Sequence, residues 1–200
     1  SLEENKDALL LVLSADHIIT NIPVFKKVLR KGFKYAQDNN LVTFGIVPNR
    51  PEIGYGYIES QKVINNNVLE GFKIKRFIEK PDLNLAKKLI ESDRYTWNSG
   101  MFVFKASTVI NELQKYEPEI INDCRKALKN GFKDLDFQRL DKKIFNNCKN
   151  ISFDISIMEK TDLGIVIPID VGWSDVGNWT SLWDNEDKDK DNNVLSGNVL

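Results

Sequence analysis

The stretch LLLVLSADHII, residues 9–19, is an apolar run that ends in a carboxylate and in the only histidine of the chain. A continuous apolar segment is typical of a buried parallel strand, so we predict such a strand at residues 8–13. Ligands of open α/β sheets bind outside the carboxyl ends of the strands. The sequence therefore places Asp16 at a candidate ligand-binding edge, although a helix cap or a turn is the commoner position for an aspartate.

The rest of the chain alternates strand-like and helix-like segments, a pattern that is typical of an α/β fold. With 200 residues, of which 42% are hydrophobic, the chain is long enough to bury the core of one domain. The further strands that we predict are 41–47, 72–78 and 163–169, and the predicted helices are 21–39, 82–90, 118–130 and 134–146.

Composition and charge exclude several classes of protein. Lysine and arginine number 28 and aspartate and glutamate number 29, so the chain lacks the basic excess that nucleic-acid binding requires. Its apolar runs are shorter than the ~18 residues of a membrane span, and its charged N-terminus does not resemble a signal peptide. Cys124 and Cys148 lie outside any CxxC pair or histidine cluster, which argues against zinc and against a disulfide framework. We therefore predict a cytoplasmic protein that binds neither nucleic acid nor membranes.

A second carboxylate follows the predicted strand 163–169, in the segment GWSDVGNW, residues 172–179. Asp175 lies there in a glycine-flanked turn between two tryptophans. Two carboxylates that both follow strands, Asp16 and Asp175, can share one metal ion. Mg²⁺ suits such a pair because it binds one or two carboxylates together with the phosphate oxygens of a substrate. An ordinary turn with aromatic packing explains the segment equally well.

The segment FIEKP, residues 77–81, carries two adjacent charges. Because side chains alternate between the faces of a strand, we expect Glu79 and Lys80 to point apart and to form no salt bridge with each other. One interpretation is a carboxylate that accepts hydrogen bonds from sugar hydroxyls beside an ammonium that faces a phosphate. The other is a strand edge that charge and Pro81 protect from pairing.

Two glycine-containing segments offer room for a small ligand near the backbone. In TWNSGMFVF, residues 96–104, Asn98 and Gly100 interrupt an apolar strand-like run, and an asparagine can both donate to and accept from a hydroxyl. In GYGYI, residues 54–58, Gly54 and Gly56 allow the same close approach. A β-bulge without a ligand is the alternative for both segments.

Taken in their order along the chain, six segments resemble one family. They are LSADHII, PEIGYGYIE, FIEKP, TWNSGMF, FDISIMEK and GWSDVGNW. With them the chain closely resembles the bacterial mannose-1-phosphate guanylyltransferases, in particular the long type that often carries a mannose-6-phosphate isomerase domain. The resemblance extends over nearly all of residues 9–183.

The resemblance implies a Rossmann-like, GT-A-like α/β fold with a mixed sheet flanked by helices. It also implies Mg²⁺-dependent transfer of GMP from GTP to mannose 1-phosphate, which yields GDP-mannose and pyrophosphate. The attacking phosphate oxygen is already ionised near neutral pH, so this reaction needs no histidine or cysteine base. It needs positioning and neutralisation of charge instead, which a divalent cation and basic side chains supply.

The resemblance also implies the roles of individual residues. The metal ligands would be Asp16 and Asp175, and Lys80 would face the sugar phosphate. The residues that contact the sugar would be Gly56, through its backbone, and Glu79 and Asn98, through their side chains. Three more residues lie in matching motifs: His17, for which the sequence suggests no chemical role, and Asp154 and Glu159, for which we expect structural roles.

One element of the family is not found here, namely its glycine-rich nucleotide signature GGxGxRLWPLS. We therefore expect a fragment that lacks the N-terminal nucleotide-binding part and makes no GDP-mannose on its own. Residues 1–183 would be the sugar-binding portion of the nucleotidyltransferase domain, and residues 184–200 an acidic linker and the start of a β-helical segment. The run DNEDKDKDNN, residues 184–193, has the aspartate spacing of a calcium loop but lacks its glycine and its final glutamate, which favours a solvated linker.

Other functions remain open from the sequence. The protein could use another sugar 1-phosphate, such as glucose 1-phosphate, or another nucleotide. It could also be a catalytically silent module for sugar-phosphate binding or oligomerisation. A glycosyltransferase is disfavoured, because its metal-binding carboxylates usually cluster as Asp-x-Asp. Sheet edges exposed in a fragment would favour pairing between chains, so a homo-oligomer is one expectation.

Overall fold

A mixed six-stranded sheet forms the centre of the protein, and helices pack against it. The computed structural model describes residues 7–65, 68–177, 179–184, 186–195 and 197. The strands are β1 (Leu9–Val12), β2 (Ile18–Ile19), β3 (Leu41–Ile46), β4 (Tyr57–Ser60), β5 (Phe72–Ile78), β6 (Tyr95–Lys105), β7 (Phe132–Asp134), β8 (Phe137–Arg139), β9 (Gly164–Ile169) and β10 (Trp173–Ser174). The helices are α1 (Ile22–Gln37), α2 (Leu83–Ile90), α3 (Ala106–Tyr116), α4 (Pro118–Lys129), α5 (Lys142–Asn147) and α6 (Trp179–Asp184), together with a π-helix at Asp154–Met158.

The strand order in the main sheet is β1-β6-β3-β9-β5-β4, and β6 also pairs with β4. Strands β3 and β9 run parallel, from Leu41 opposite Gly164 to Ile46 opposite Ile169, and both are buried along their whole length. The remaining pairings of this sheet are antiparallel. The prediction of a mixed α/β sheet is confirmed, with β3 and β9 side by side at its centre.

Strand β1 differs from what its apolar sequence predicted. Among the described strands it pairs with β6 alone, in antiparallel orientation, and the exposed fractions of Leu11 and Val12 are 37% and 42%. The prediction of a buried parallel strand at residues 8–13 is therefore wrong in this structure. An apolar run indicates a strand, but it does not tell how many neighbours that strand has.

Helix α1 packs on the sheet as the sequence predicted. Asn21 caps it by accepting a hydrogen bond from a first-turn amide at 3.2 Å, and a proline occupies its first turn. Its apolar face buries Phe25 and Val28. Gly32 lets the helix approach the sheet closely, because a Cβ atom there would lie 3.1 Å from the ring of Phe44.

Strand β6 contains a bulge at Gly100. The φ of Gly100 is +67°, and the register between β6 and β3 shifts at this point. Ser99 supports the bulge, because its hydroxyl donates a hydrogen bond to the backbone carbonyl of Phe44. The first residues of β6 pair with β4, whereas later residues pair with β3 and β1. This is the β-bulge that the sequence offered as one of two interpretations.

The prediction of a helix at residues 134–146 is wrong. The chain forms the β7–β8 hairpin there, followed by the short helix α5. Leu135 lies in the turn with a φ of +52°, and Asp141 caps α5 by accepting a hydrogen bond from the Ile144 amide at 2.9 Å. In FKDLDF, turn-favouring aspartates flank Leu135 between two phenylalanines, which suits a hairpin better than a helix. Helices α3 and α6, the π-helix and the two-residue strands β2 and β10 were not predicted either.

The acidic run that follows α6 forms turns. Residues 186–195 contain neither helix nor strand. Asp189 accepts hydrogen bonds from the amides of Asp191 and Asn193 at 2.9 and 2.8 Å, so its carboxylate closes a local turn. The predicted start of a β-helical segment falls largely on residues 196 and 198–200, which lie outside the described residues.

Two exclusions made from the sequence can be compared with the structure. Of the helices that the structure describes, none combines the length and the apolar composition needed to cross a membrane. Cys124 and Cys148 are both free cysteines in the structure. Burial raises the pKa of the Cys124 thiol, and the neighbouring Cys148 raises it further.

Candidate functional site

The two candidate metal ligands lie at one end of a short β-ribbon. Strands β2 and β10 pair antiparallel, with Ile18 opposite Ser174. Asp16 precedes β2, and Asp175 follows β10 directly. Because the beginning of one strand faces the end of the other in an antiparallel pair, both aspartates lie at the same end. We call β2, β10 and these two aspartates the carboxylate ribbon.

Asp175 is held through one of its two oxygens. Its Oδ1 accepts hydrogen bonds from the Tyr55 hydroxyl at 2.9 Å and from the Gly177 amide at 3.3 Å, and no described residue donates to Oδ2. Burial raises the pKa of Tyr55, and the Asp175 carboxylate raises it further, so the hydroxyl remains a hydrogen-bond donor. Asp16 is exposed to solvent. The ribbon thus presents carboxylate oxygen that a ligand can reach.

A series of aromatic rings connects the carboxylate ribbon to the main sheet. Tyr55 packs edge-on against Trp97 and against Trp173, with 5.3 Å between ring centroids in both cases. Trp173 donates its indole N–H to Nδ1 of His17 at 3.2 Å. We call these four residues the aromatic column. His17, for which the sequence suggested no role, therefore supports the ribbon next to Asp16.

Three further predicted residues meet where β4, β5 and β6 lie side by side. Tyr57, the first residue of β4, lies opposite Ile78 of β5 and opposite Trp97 of β6. The strands are antiparallel, so the residue before Tyr57 lies beside the residues that follow Ile78 and Trp97. Gly56, Glu79 and Asn98 are therefore neighbours. The backbone N–H of Asn98 donates a hydrogen bond to the Gly56 carbonyl at 2.8 Å, and a Cβ atom on Gly56 would lie 2.9 Å from Glu79 Oε2. A glycine at position 56 leaves room for both side chains.

Asp154 completes this group. It begins the π-helix, and its Oδ1 accepts a hydrogen bond from Asn98 Nδ2 at 3.0 Å. Asn98 Oδ1 accepts one from the Gly100 amide at 3.1 Å, so both ends of the Asn98 amide are engaged. Burial raises the pKa of Asp154, the hydrogen bond from Asn98 opposes that rise, and the negative charge of Glu79 adds to it. We call Gly56, Glu79, Asn98 and Asp154 the Gly56 cluster.

Glu79 and Lys80 form an ion pair, contrary to the prediction. Glu79 Oε1 and Lys80 Nζ are 3.7 Å apart. Strand β5 ends at Ile78 and Lys80 has a φ of +40°, so the alternation of strand faces does not extend to these two residues. Both side chains are more than half exposed, and an exposed pair of this kind contributes only about 0–1 kcal/mol to stability. A ligand can therefore separate the two charges at little cost.

Comparison with known proteins defines the family. A profile described as nucleotidyl transferase matches residues 1–192. The chain belongs to the nucleotidyl transferase family. It is 47% identical over 197 residues to the mannose-1-phosphate guanylyltransferase RfbM of Salmonella typhimurium, which covers 98% of this chain and 40% of that protein. It is 43% identical over 195 residues to the mannose-1-phosphate guanylyltransferase of Escherichia coli K12, with 97% and 41% covered. The chain thus spans about 40% of the length of these curated relatives.

Two solved structures share the fold of this nucleotidyl transferase chain. One, from Thermus thermophilus, is described as a mannose-1-phosphate geranyltransferase; its TM-score is 0.78 at 26% identity, over 93% of this chain and 52% of that chain. The other, from Helicobacter pylori, is described as a mannose-6-phosphate isomerase, with a TM-score of 0.75 at 33% identity over 86% of this chain and 66% of that one. The predicted mixed α/β nucleotidyltransferase fold is confirmed.

An open groove of about 700 Å³ adjoins the carboxylate ribbon of this nucleotidyl transferase, and Arg50, Tyr55 and Asp175 are among the residues that line it. The guanidinium of Arg50 lies 5.7 Å from the ring centroid of Trp97 and forms an ion pair at 3.4 Å with Glu52, which lines the same groove. Sequence analysis missed Arg50 and Tyr55 as site residues. Tyr55 lies in the quoted GYGYI segment, whereas Arg50 belongs to a loop without a recognisable spacing.

The residues present at the ribbon fit a magnesium ion better than other metals. Within the described ranges, no three histidine, cysteine, aspartate or glutamate residues lie close enough to hold a metal by themselves. Zinc and calcium sites normally need such sets of protein ligands. Mg²⁺ binds through one or two carboxylates and the phosphates of a substrate, and the carboxylates of Asp16 and Asp175 are ligands of that kind.

Proposed function

We propose that the protein containing this chain transfers GMP from GTP to mannose 1-phosphate and releases GDP-mannose and pyrophosphate, with Mg²⁺ bound by Asp16 and Asp175. The relatives named mannose-1-phosphate guanylyltransferase support this choice of substrates. The arrangement of the site supports it independently, as the next paragraphs describe for the sugar and for the phosphates.

The observation that carries the proposal is that the Gly56 cluster lies next to the carboxylate ribbon. Tyr55, which holds Asp175, and Gly56, which contacts Glu79 and Asn98, are consecutive residues with Cα atoms about 3.8 Å apart. A hexose on the cluster therefore brings its 1-phosphate close to the ribbon. This is the arrangement that joins sugar recognition to phosphoryl chemistry in one molecule.

The cluster provides groups that recognise a hexose. Glu79 Oε2 lies beside Gly56, so it can accept hydrogen bonds from sugar hydroxyls while the sugar approaches the glycine backbone. Asn98 is held rigidly by Asp154 and Gly100, and it presents the remaining lone pair of its Oδ1 to a hydroxyl. A hydrogen bond to the Glu79 carboxylate would contribute about 1.5–3 kcal/mol to binding.

The chemistry is an in-line displacement at the α-phosphorus of GTP. An oxygen of the sugar phosphate forms the new P–O bond, and the bond to the pyrophosphate oxygen breaks. Asp16 and Asp175 would hold Mg²⁺, which neutralises phosphate charge when it is bound. Lys80, released from Glu79, faces the sugar phosphate and lowers the repulsion between the two phosphate groups. None of these residues has to act as a base.

A substrate panel on the whole protein tests the proposal. Mannose 1-phosphate and glucose 1-phosphate are each combined with GTP, ATP, UTP and dTTP, and the nucleotide sugars are separated by chromatography. We expect the highest turnover for mannose 1-phosphate with GTP. A preference for another pair would contradict the proposed substrates, and a lack of turnover with all pairs would favour the silent binding module.

The proposal also places the protein in the cytoplasm. The spacing of Cys124 and Cys148 in the sequence suggests neither a disulfide framework nor a zinc site, which suits a reducing compartment. Labelling of both thiols in protein purified without reductant is expected, and a disulfide in such a preparation would argue against this location.

A further inference from the structure

We propose that Tyr55 is a positioning residue that orients Asp175 for cation binding. The inference rests on the proposed function, because it takes Asp175 as a ligand of the divalent cation. Tyr55 itself lies beside the reacting groups and does not need to touch them. Its role is to fix which oxygen of Asp175 faces the groove.

The hydrogen-bond pattern at Asp175 gives the first argument. Oδ1 accepts from both the Tyr55 hydroxyl and the Gly177 amide, at 2.9 and 3.3 Å. A carboxylate anchored through one oxygen loses its freedom to rotate, and the other oxygen is then kept in one direction. Among the described residues none bonds to Oδ2, so this is the atom left for a cation. Hydrogen bonds to ligating carboxylates tune metal affinity in this way in other proteins.

The packing of the Tyr55 ring gives the second argument. The ring is held between Trp97 of the main sheet and Trp173 of the ribbon, at 5.3 Å from each. Trp173 and Asp175 lie two residues apart, so Tyr55 contacts the same ribbon strand through its ring and through its hydroxyl. Because its ring packs on the sheet and its hydroxyl bonds to Asp175, Tyr55 links the position of the carboxylate to that of the sheet.

The small size of the ribbon gives the third argument. Two residue pairs join β2 to β10, and the amides of Thr20 and Asn21 continue the pairing to the Val171 carbonyl at 3.2 and 3.0 Å. These further bonds lie at the end of the ribbon away from Asp175, four residues before it. The main chain alone therefore constrains the position of Asp175 weakly, whereas Tyr55 continues directly through Gly56 into the buried strand β4. The same contact places the metal ligand in a defined position relative to the sugar-binding cluster. Loss of the hydroxyl should thus loosen the cation site while the sugar site stays intact.

The experiment compares wild-type protein with Tyr55→Phe, which removes the hydroxyl and keeps the ring. Binding of Mn²⁺ is measured by electron paramagnetic resonance, and activity is measured against Mg²⁺ concentration. We expect the Mn²⁺ dissociation constant and the half-saturating Mg²⁺ concentration to rise by about 10- to 100-fold. The KM for mannose 1-phosphate at saturating Mg²⁺ and the thermal unfolding midpoint should not change.

Tyr116→Phe is the matched control, because it removes another tyrosine hydroxyl, one that donates to the Lys160 carbonyl at 2.8 Å away from the site. Its cation binding should equal that of wild type. Unaltered Mn²⁺ affinity in Tyr55→Phe, with Asp175→Asn clearly weakened, would overturn the role of Tyr55 and leave the proposed function in place. Wild-type turnover that does not depend on a divalent cation would overturn both.

Discussion

The carboxylate ribbon and the Gly56 cluster are built in different ways, although they are neighbours in the fold. The cluster follows from the register of three strands in the main sheet, because the first residue of β4 is paired with β5 and with β6 at once. The ribbon has two residue pairs, with further backbone bonds at the end away from Asp175, and side chains of the aromatic column contact it next to the two aspartates. Backbone pairing therefore positions the residues of the cluster, whereas side-chain contacts help to position the two aspartates of the ribbon, which are the proposed metal ligands.

The two regions also differ in how many of their polar side-chain atoms form hydrogen bonds within the protein. In the cluster, the side-chain amide of Asn98 is bonded at both ends, to Asp154 and to the Gly100 amide. In the ribbon, Asp16 is exposed and one oxygen of Asp175 has no donor from the described residues. We infer that hydrogen bonds within the protein already hold the cluster, while the ribbon, with Asp175 oriented by Tyr55, keeps carboxylate oxygen available for the proposed cation. Substitutions in the two regions should consequently change different measurements.

The largest effect is expected for Asp175→Asn in the whole protein. The substitution removes the charge of a metal ligand but keeps an oxygen that can accept from Tyr55. The kcat should fall by about 10²- to 10³-fold, as when one preorganised electrostatic contact is lost from an active site. The KM for mannose 1-phosphate and the urea unfolding curve should stay unchanged, because the Gly56 cluster and the sheet are untouched.

Asp136→Asn provides the control for this charge change, since Asp136 is an exposed residue of the β7–β8 turn. It should leave kcat unaltered. If Asp175→Asn instead raised the KM for the sugar phosphate and spared kcat at limiting Mg²⁺, the division of labour between ribbon and cluster would be wrong.

A smaller effect is expected for Asn98→Ala, and this effect should depend on pH. The pKa of Asp154 is raised in the folded protein by burial, and the hydrogen bond from Asn98 limits that rise. A carboxyl pKa that is raised in the folded protein adds to the free energy of unfolding at pH values below the ordinary aspartate pKa. This contribution is lost as the pH increases through the pKa of the folded protein. Removing Asn98 raises the folded pKa further, so the variant should lose more stability at pH 7 than at pH 4. At pH 7 the free energy of unfolding of Asn98→Ala should lie about 1.5–3 kcal/mol below that of the wild type, the contribution of a hydrogen bond to a charged group.

Urea unfolding at both pH values measures this effect. The decisive comparison is made in an Asp154→Asn background, where the titrating carboxyl is absent. There Asn98→Ala should cost the same free energy of unfolding at pH 4 and at pH 7. A pH dependence that persists in this background would come from another group, and the link between Asn98 and Asp154 would be refuted.

The same contrast explains which parts of the fold were predictable from the sequence. Strands β3 and β9 were found because full burial gives them continuous apolar runs, and β5 and helix α1 because one-sided packing imposes a local period on their residues. Strand β1 was recognised as a strand, but its neighbours depend on contacts that no local pattern encodes. Strands β2 and β10 are too short to show any period, and their pairing depends on residues of the aromatic column from distant parts of the chain.

The candidate site shows the same limit. Gly56, Glu79 and Asn98 were each noted as polar or glycine interruptions at strand ends, and the structure brings them together. The hydrogen bond between Tyr55 and Asp175 joins residues 120 positions apart, and no spacing rule predicts it. Likewise, the Glu79–Lys80 ion pair arises from the positive φ of Lys80, which the strand pattern could not anticipate.

The smallest effect, and the sharpest test of the cluster, is expected for Gly56→Ala. The new Cβ atom would lie 2.9 Å from Glu79 Oε2 and 3.6 Å from the Asn98 Cβ, so only the mobile end of Glu79 has to move. Gly56 does not adopt a positive φ, so alanine fits its backbone and the free energy of unfolding should change by less than about 1 kcal/mol. Displacement of the carboxylate should weaken sugar binding by about 1 kcal/mol, which raises the KM for mannose 1-phosphate roughly fivefold.

A double-mutant cycle with Glu79→Gln decides whether this weakening passes through Glu79. In the Glu79→Gln background the carboxylate charge is already lost, so Gly56→Ala should add little to the KM. Gly54→Ala serves as the matched glycine control, because its Cβ would meet Glu52 Oε1 at an ordinary 3.5 Å and lies outside the cluster. If the effects of Gly56→Ala and Glu79→Gln were instead additive, the two residues would contact the sugar independently, and the cluster would not act as one preformed unit.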